Sequence, residues 1–136
     1  MQAENSRKRI RSVLVPLALL ILLIGGLFRY CNPGPTEEEI KSLISKNLPV
    51  GSNVQQVRTF LESRQISCNY YPNQPHGSLF DEVEPSKQRV VQGYLTAGIP
   101  EVEQGFLTKS GIYMQFYFDK NKRLVDYTVK KWVMAP

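Results

Sequence analysis

An α+β fold preceded by one transmembrane helix is what this sequence predicts, and three observations predict it. Two short stretches with helical apolar spacing each open on a capping box. The C-terminal end alternates apolar and polar residues around one polar turn. An unbroken apolar run at residues 13–28 follows a cluster of basic side chains.

The chain has 136 residues, the size of one domain rather than two. With the first 32 residues set aside, the remainder supports a modest two-layer core. The formal net charge is +5, but the excess is local. Residues 1–32 hold Arg7, Lys8, Arg9, Arg11 and Arg29 against Glu4, a contribution of +4. The rest is nearly neutral, whereas a nucleic-acid binder needs a basic patch on its folded part. Lys120, Lys122 and Arg123 fall in a predicted turn, where polar residues are ordinary. No nucleic-acid partner is expected.

The apolar run VLVPLALLILLIGGLF is 16 residues long, short of the ~20 that span a bilayer. Arg11 and Arg29 extend it by laying their stems along hydrocarbon and their charges at the interface. Tyr30 suits the headgroup level. Pro16 stands in the first turn, where a missing N–H costs least. Gly25-Gly26 would permit close helix approach, but no GxxxG is present. Four basic residues precede the run and one follows, so the positive-inside rule keeps the N-terminus in the cytoplasm. The expected organisation is a basic cytoplasmic tail at 1–12, an anchor at 13–30, a Pro-Gly-Pro linker at 31–35 and an extracytoplasmic domain at 36–136. A cleaved signal peptide is the alternative, disfavoured because no A-x-A site follows.

The domain begins with Thr36-Glu-Glu-Glu39, a capping box with three carboxylates suited to the helix dipole. Ile40, Leu43 and Ile44 form an apolar stripe, and Asn47 is a predicted left-handed cap before Pro49. Ser52 and Gln55 predict a second capping box, and Val54, Val57, Phe60 and Leu61 repeat at helical spacing. Residues 66–71 read as a strand, 72–86 as a long loop with His76, and 89–97 as a strand broken by Gly98-Ile-Pro100. Ile112, Met114, Phe116 and Phe118 then alternate with Tyr113, Gln115 and Tyr117. Beyond a turn at Asp119 to Lys122, Val125, Tyr127 and Val129 alternate with Asp126, Thr128 and Lys130. Side-chain parity requires paired numbers to add to an odd total. A four-residue turn sets Phe116 opposite Val125, Met114 opposite Tyr127 and Ile112 opposite Val129. Tyr113, Gln115, Tyr117, Thr128, Lys130 and Trp132 then share the opposite face.

Two stretches carry a resemblance: the segment LPVGSNVQQVRTFL at 48–61 and the segment FYFDKNKRL at 116–124. They resemble the helical motif and last hairpin of the SmpA/OmlA-type small lipoproteins of outer-membrane assembly. The fold this implies is shared with β-lactamase inhibitor proteins, a helix pair packed on an antiparallel sheet. It covers residues 36–71 and 110–132. The family's lipobox cysteine is absent and an anchor replaces it, and residues 72–110 match nothing in the pattern. The resemblance implies a non-enzymatic, protein-binding module of a bacterial envelope; the apolar run and its flanking charges add the expectation of a single pass in the inner membrane, with the domain periplasmic or extracellular.

Little in the sequence suggests catalysis, since a nucleophile, base or metal must lie within reach of its partners. His76 is the only histidine and sits in a Pro/Gly loop. Asp81, Glu82 and Glu84 lack the glycine and distal Glu of a calcium loop and read as a solvated acidic loop. No phosphate loop, HExxH or G-x-S-x-G is present, and no Cys/His spacing suggests zinc. No cofactor or metal is expected. Cys31 and Cys68 could pair in an oxidising compartment, but the linker and two helices lie between them, so Cys68 reads as a small buried residue.

Binding residues are better supported. Tyr70, Tyr71, Leu79 and Phe80 flank or sit on the long loop. Tyr113, Tyr117 and Trp132 form an aromatic set of a kind that anchors interfaces. The competing reading is that the loop or the 89–97 strand covers this face. Arg58 and Arg64 on the second helix are expected to face water. The leading expectation is an anchored protein-binding module. The alternatives are an inhibitor or enzyme domain acting on a secreted hydrolase, and a structural subunit of a larger membrane complex.

Overall fold

The computed structural model describes residues 34–74, 77–104 and 108–134. Their order is α1 (Glu37–Asn47), α2 (Val54–Glu62), β1 (Cys68–Tyr71), a 3-10 turn (Phe80–Glu82), α3 (Pro85–Gln88), β2 (Gly93–Gln104), β3 (Lys109–Phe118) and β4 (Leu124–Met134). The strands form one antiparallel sheet in the order β1-β2-β3-β4. This is the expected α+β fold. Among the described residues no helix is long and apolar enough to cross a membrane. The expected anchor, with Arg11, Pro16, Gly25, Gly26, Arg29 and Tyr30, lies outside the described residues, as does Cys31.

The first helix starts as its sequence dictates. Thr36 Oγ1 accepts from the Glu39 amide at 3.2 Å, and Glu39 Oε2 accepts from the Thr36 amide at 2.8 Å. Its end differs. Asn47 is the last helical residue and its amide donates back to the Leu43 carbonyl, so Leu48, with φ of −126°, is the cap. The second capping box is shifted by one. Asn53 and Gln56 exchange bonds of 2.8 Å in both directions, in place of Ser52 and Gln55. Ser52 has another task. Its hydroxyl donates to the Pro49 carbonyl at 2.6 Å, and the Gly51–Ser52 backbone bonds Leu124 at the start of β4. That bridge holds Ser52 outside the helix and leaves Asn53 as its cap.

Each helix turns one stripe to the sheet. Ile40 and Ile44 of α1, then Leu48, and Val57 and Leu61 of α2 pack on Leu95, Ala97, Ile112, Met114, Phe116, Phe118, Leu124 and Val129. Burial of a full aliphatic side chain contributes ~1.5–3 kcal/mol. This apolar layer is therefore the main source of the fold's stability.

Two expectations about strands are corrected. β2 is not broken at Gly98-Ile-Pro100 but runs on to Gln104. Gly98 pairs with Tyr113 and Ile99 with Ile112, and the register then shifts before Glu103 meets Ser110. Pro100 falls in that irregular stretch, where its missing N–H costs no ladder bond, and Glu101 there takes a φ of 53°. Val90 and Val91 precede the strand rather than belonging to it.

The β3–β4 register keeps the required odd parity but is offset by two residues. Ile112 opposes Lys131, Met114 opposes Val129 and Phe116 opposes Tyr127, until a shift sets Phe118 opposite Leu124. The turn is the cause. Asp119 Oδ1 accepts from the amides of Asn121 (2.8 Å) and Arg123 (3.0 Å), and Lys122 turns left-handed at φ 59°. The turn thus closes through Arg123, one residue further than the four-residue turn, and a bulge follows it. Leu124, 1% exposed, takes the core place expected of Val125. Val125 is half-buried and belongs to neither apolar cluster.

Candidate interaction surface

The face of the sheet away from the helices is built in rows. Tyr71, Tyr94, Tyr117 and Asp126 form one row across the strands; Asn69, Thr96, Gln115 and Thr128 the next; Gly98, Tyr113 and Lys130 a third; Gly111 and Trp132 a fourth. Parity places Tyr113, Gln115, Tyr117, Thr128, Lys130 and Trp132 together, as the alternation predicts.

Half of this face is covered. The segment from Gly77 to Gln92 crosses it as a strap. Phe80, Val83 and Val91 pack on Tyr117, with Tyr94 at the margin. The Phe80 and Tyr117 rings meet edge to face, 6.0 Å between centroids. Tyr117 is 0% exposed and Phe80 9%, so these two expected binding residues are core and offer a partner nothing directly. The competing reading of this face holds for its strap-covered half. Aromatic rings placed opposite one another across a loop bury more by meeting than by facing water.

One side chain organises the strap. Gln115, 1% exposed, accepts from the Leu79 amide at 3.0 Å and from the Tyr117 hydroxyl at 2.7 Å through Oε1. Its Nε2 donates to Ser78 Oγ at 3.1 Å and to the Tyr113 hydroxyl at 3.0 Å. A buried amide with all these positions used is stable where a half-used one is not. Gly77 lies flush on it; a Cβ there would stand 2.5 Å from Gln115 Oε1. Leu79 itself is half-buried, and its backbone rather than its side chain makes the specific contact. Burial pushes the Tyr117 hydroxyl up to about 12, with the Thr128 hydrogen bond opposing the rise. At the β4 side Lys87 pairs with Asp126 at 3.2 Å, and Glu82 pairs with Lys130. Glu82 and Glu84 are thus salt-bridged to lysines. Among the described residues no group of His, Cys, Asp and Glu is placed to hold a metal ion. His76 lies outside the described residues.

The other half stays open. Tyr71 stacks on Tyr94, 4.9 Å between centroids and 21° between planes. Burial raises the Tyr94 hydroxyl, with smaller contributions from Tyr71 and Tyr113. Gly98 leaves a bare floor between them and Tyr113; a Cβ there would meet only the Ile112 carbonyl oxygen, at 3.7 Å. Trp132 lies across Gly111 so closely that a Cβ would collide with the indole. Tyr71, Tyr94, Thr96, Gly98, Tyr113 and Trp132 are all half-buried, with part of each open to a partner. Tyr113 and Trp132 are therefore placed on one face as expected, and Tyr71, expected beside the long loop, joins them there. Tyr94, Thr96 and Gly98 complete it. The alternation of Tyr94 and Thr96 with Leu95 and Ala97 was available within the strand read at 89–97, and only Gly98 was hidden, by ending that strand before it.

The helix side carries less. An open groove of about 550 Å³ lies at the corner between α1 and α2, lined by Leu48, Asn53, Gln56, Thr59, Phe60 and Arg64. Asn53 and Gln56 are already committed to capping each other's amides. Of the two arginines expected in water, Arg64 is exposed and Arg58 half-buried, and each also lies over a ring. Arg64 stands 4.0 Å from the Phe60 centroid and Arg58 5.9 Å from that of Tyr70. Among the described residues Cys68 has no disulfide partner, and it is half-buried against the main core. Burial pushes its thiol up, away from reactive thiolate at neutral pH.

No family model matches the chain, and neither a curated protein nor a solved structure matches it.

Proposed function

We propose that this chain is a non-enzymatic, membrane-anchored protein-binding module of a bacterial cell envelope. On this reading residues 13–30 cross the inner membrane and the open half of the outer sheet face receives a protein partner. The observation that carries it is the group Tyr71, Tyr94, Tyr113 and Trp132 around the bare floor at Gly98. Tyrosine and tryptophan supply large, stiff contact area with a polar tip, which is why they anchor interfaces. The lysines that share that face by register are paired, Lys130 with Glu82 and Lys109 with Glu101, so the surface suits a largely uncharged partner patch. The anchor supports the reading by confining the domain to two dimensions, which raises its effective concentration near membrane partners. The resemblance of residues 48–61 and 116–124 to SmpA/OmlA-type proteins supports the envelope setting.

The test is a photo-cross-linking residue at Thr96 of the full chain in its own membrane, with Lys120 as an exposed control position. Thr96 is expected to cross-link to a protein and Lys120 is not. Trp132→Ala and Tyr71→Ala should lower the yield several-fold at little cost in melting temperature. Unchanged yield in those folded variants would place the binding surface elsewhere.

A further inference from the structure

The two edges of the sheet differ in chemistry. On the β4 edge the Tyr127 amide donates to Asp126 Oδ1 at 2.9 Å, and the Lys131 amide donates to Glu37 Oε2 at 3.3 Å. Both residues have the same parity, the set whose amides point away from β3. Helix α1 lies alongside, and the Tyr127 hydroxyl reaches the Lys41 carbonyl at 3.3 Å. Two carboxylates and a helix thus close this edge, one of the ways native sheets avoid unwanted pairing.

On the β1 edge α2 packs nearby, but among the described residues no side chain accepts from an edge amide. The strand's sequence, Cys-Asn-Tyr-Tyr, contains neither charge nor proline. Among the described residues, no hydrogen bond outside the β1–β2 ladder reaches Cys68, Asn69, Tyr70 or Tyr71. A row of unpaired N–H and C=O groups has one natural complement, another extended backbone.

We propose that the β1 edge takes an extended segment of a partner polypeptide as a fifth strand. The inference rests on the protein-binding reading above and specifies its mode. The edge is continuous with the open aromatic face through Tyr71, which stacks on Tyr94. Successive side chains of an added strand point to opposite faces. One set would meet Tyr71 and Asn69. The other would lie toward α2, where Arg58 stands over the Tyr70 ring and Glu62 is exposed. The fitting partner therefore alternates apolar or aromatic residues with polar ones. A second copy of this chain fits less well. β1 is four residues long and lies between left-handed turns at Gln65 and Asn73, so two such edges would obstruct each other. A flexible segment can bend away beyond each end.

The probe is a photo-cross-linking residue at Asn69 of the full chain in its own membrane, with Val125 beside the closed edge as the comparison. Cross-links from Asn69, and not from Val125, to one continuous segment of another polypeptide are expected. Adjacent strand amides point to opposite sides. Of Asn69→Pro and Tyr70→Pro, one therefore removes a β2 ladder bond and the other only an edge donor. The variant that keeps its melting temperature should lose at least tenfold in cross-linking from Thr96. Cross-linking from Thr96 that survives both prolines, with none from Asn69, would overturn strand addition while leaving the binding reading in place. No cross-link from either position would overturn both. A cross-link from Asn69 to a second copy of the chain would overturn the partner named here.

Discussion

Leu124 and Val125 show how much one residue of turn length decides. Both are apolar, and simple alternation favours Val125 as the core residue. The Asp119 turn and its bulge give the place to Leu124, 1% exposed. Leu124→Asp should cost several kcal/mol, because it buries an unpaired charge, while Val125→Asp should cost less than about 1 kcal/mol. Thermal melting of the two full-length variants in detergent checks this; equal losses would contradict the bulge. Tyr117 gives a second test at this scale. Its hydroxyl titrates near 12 in the folded chain against 10 for the free group. The unfolded state therefore loses this proton first, and stability falls as pH rises from about 10 toward 12. At pH 11 the loss from this group is roughly 1.4 kcal/mol. Urea unfolding at pH 8 and 11 should show Tyr117→Phe losing that much less than the parent between the two values.

At the scale of elements, the strap is the part that the sequence reveals least. Its segment reads as a loop with prolines and acids, yet it contains a 3-10 turn and a short helix and forms a second apolar cluster. Gln115 is the hinge of that arrangement. In the sequence it is only a polar residue on the outer side of a strand, and nothing local says that a loop 36 residues earlier will use its amide. Gln115→Ala should remove roughly 2–3 kcal/mol, from lost buried hydrogen bonds and unsatisfied partners. Hydrogen exchange should speed up at least tenfold across 79–91, while amides of α1 and α2 change little. Uniform acceleration over the whole domain would mean that the strap and the helix-side core open together. The helices were far more legible. Thr36 and Glu39 cap α1 as read; of the two stripes, Ile40, Ile44, Val57 and Leu61 are buried as read, while Leu43, Val54 and Phe60 are half-buried.

For the whole molecule, the testable statement is where the domain stands. Four basic residues before the apolar run and one after it predict export of everything beyond residue 30. Asn121→Cys, placed in the exposed hairpin turn of a chain with Cys31 and Cys68 replaced by Ser, should react with a membrane-impermeant thiol reagent on intact cells. Reaction only after lysis would put the domain in the cytoplasm and with it end the envelope reading.

Charge distribution, capping boxes and apolar periods are local, and the sequence by itself determined what depends on them: an α+β domain, two helices with known inner stripes, a C-terminal hairpin and the odd parity of its pairing. Registers, edges and coverage depend on which distant segments meet. The tertiary structure alone decided that β2 runs through Pro100 by way of a bulge, that Leu124 displaces Val125, and that Phe80 seals Tyr117. It also left Tyr71, Tyr94, Tyr113 and Trp132 half-buried beside a β1 edge whose outer amides meet no side chain among the described residues. A tyrosine on the outer side of a strand has the same sequence signature whether a strap buries it or water meets it. Only the path of the chain between β1 and β2 distinguishes the two.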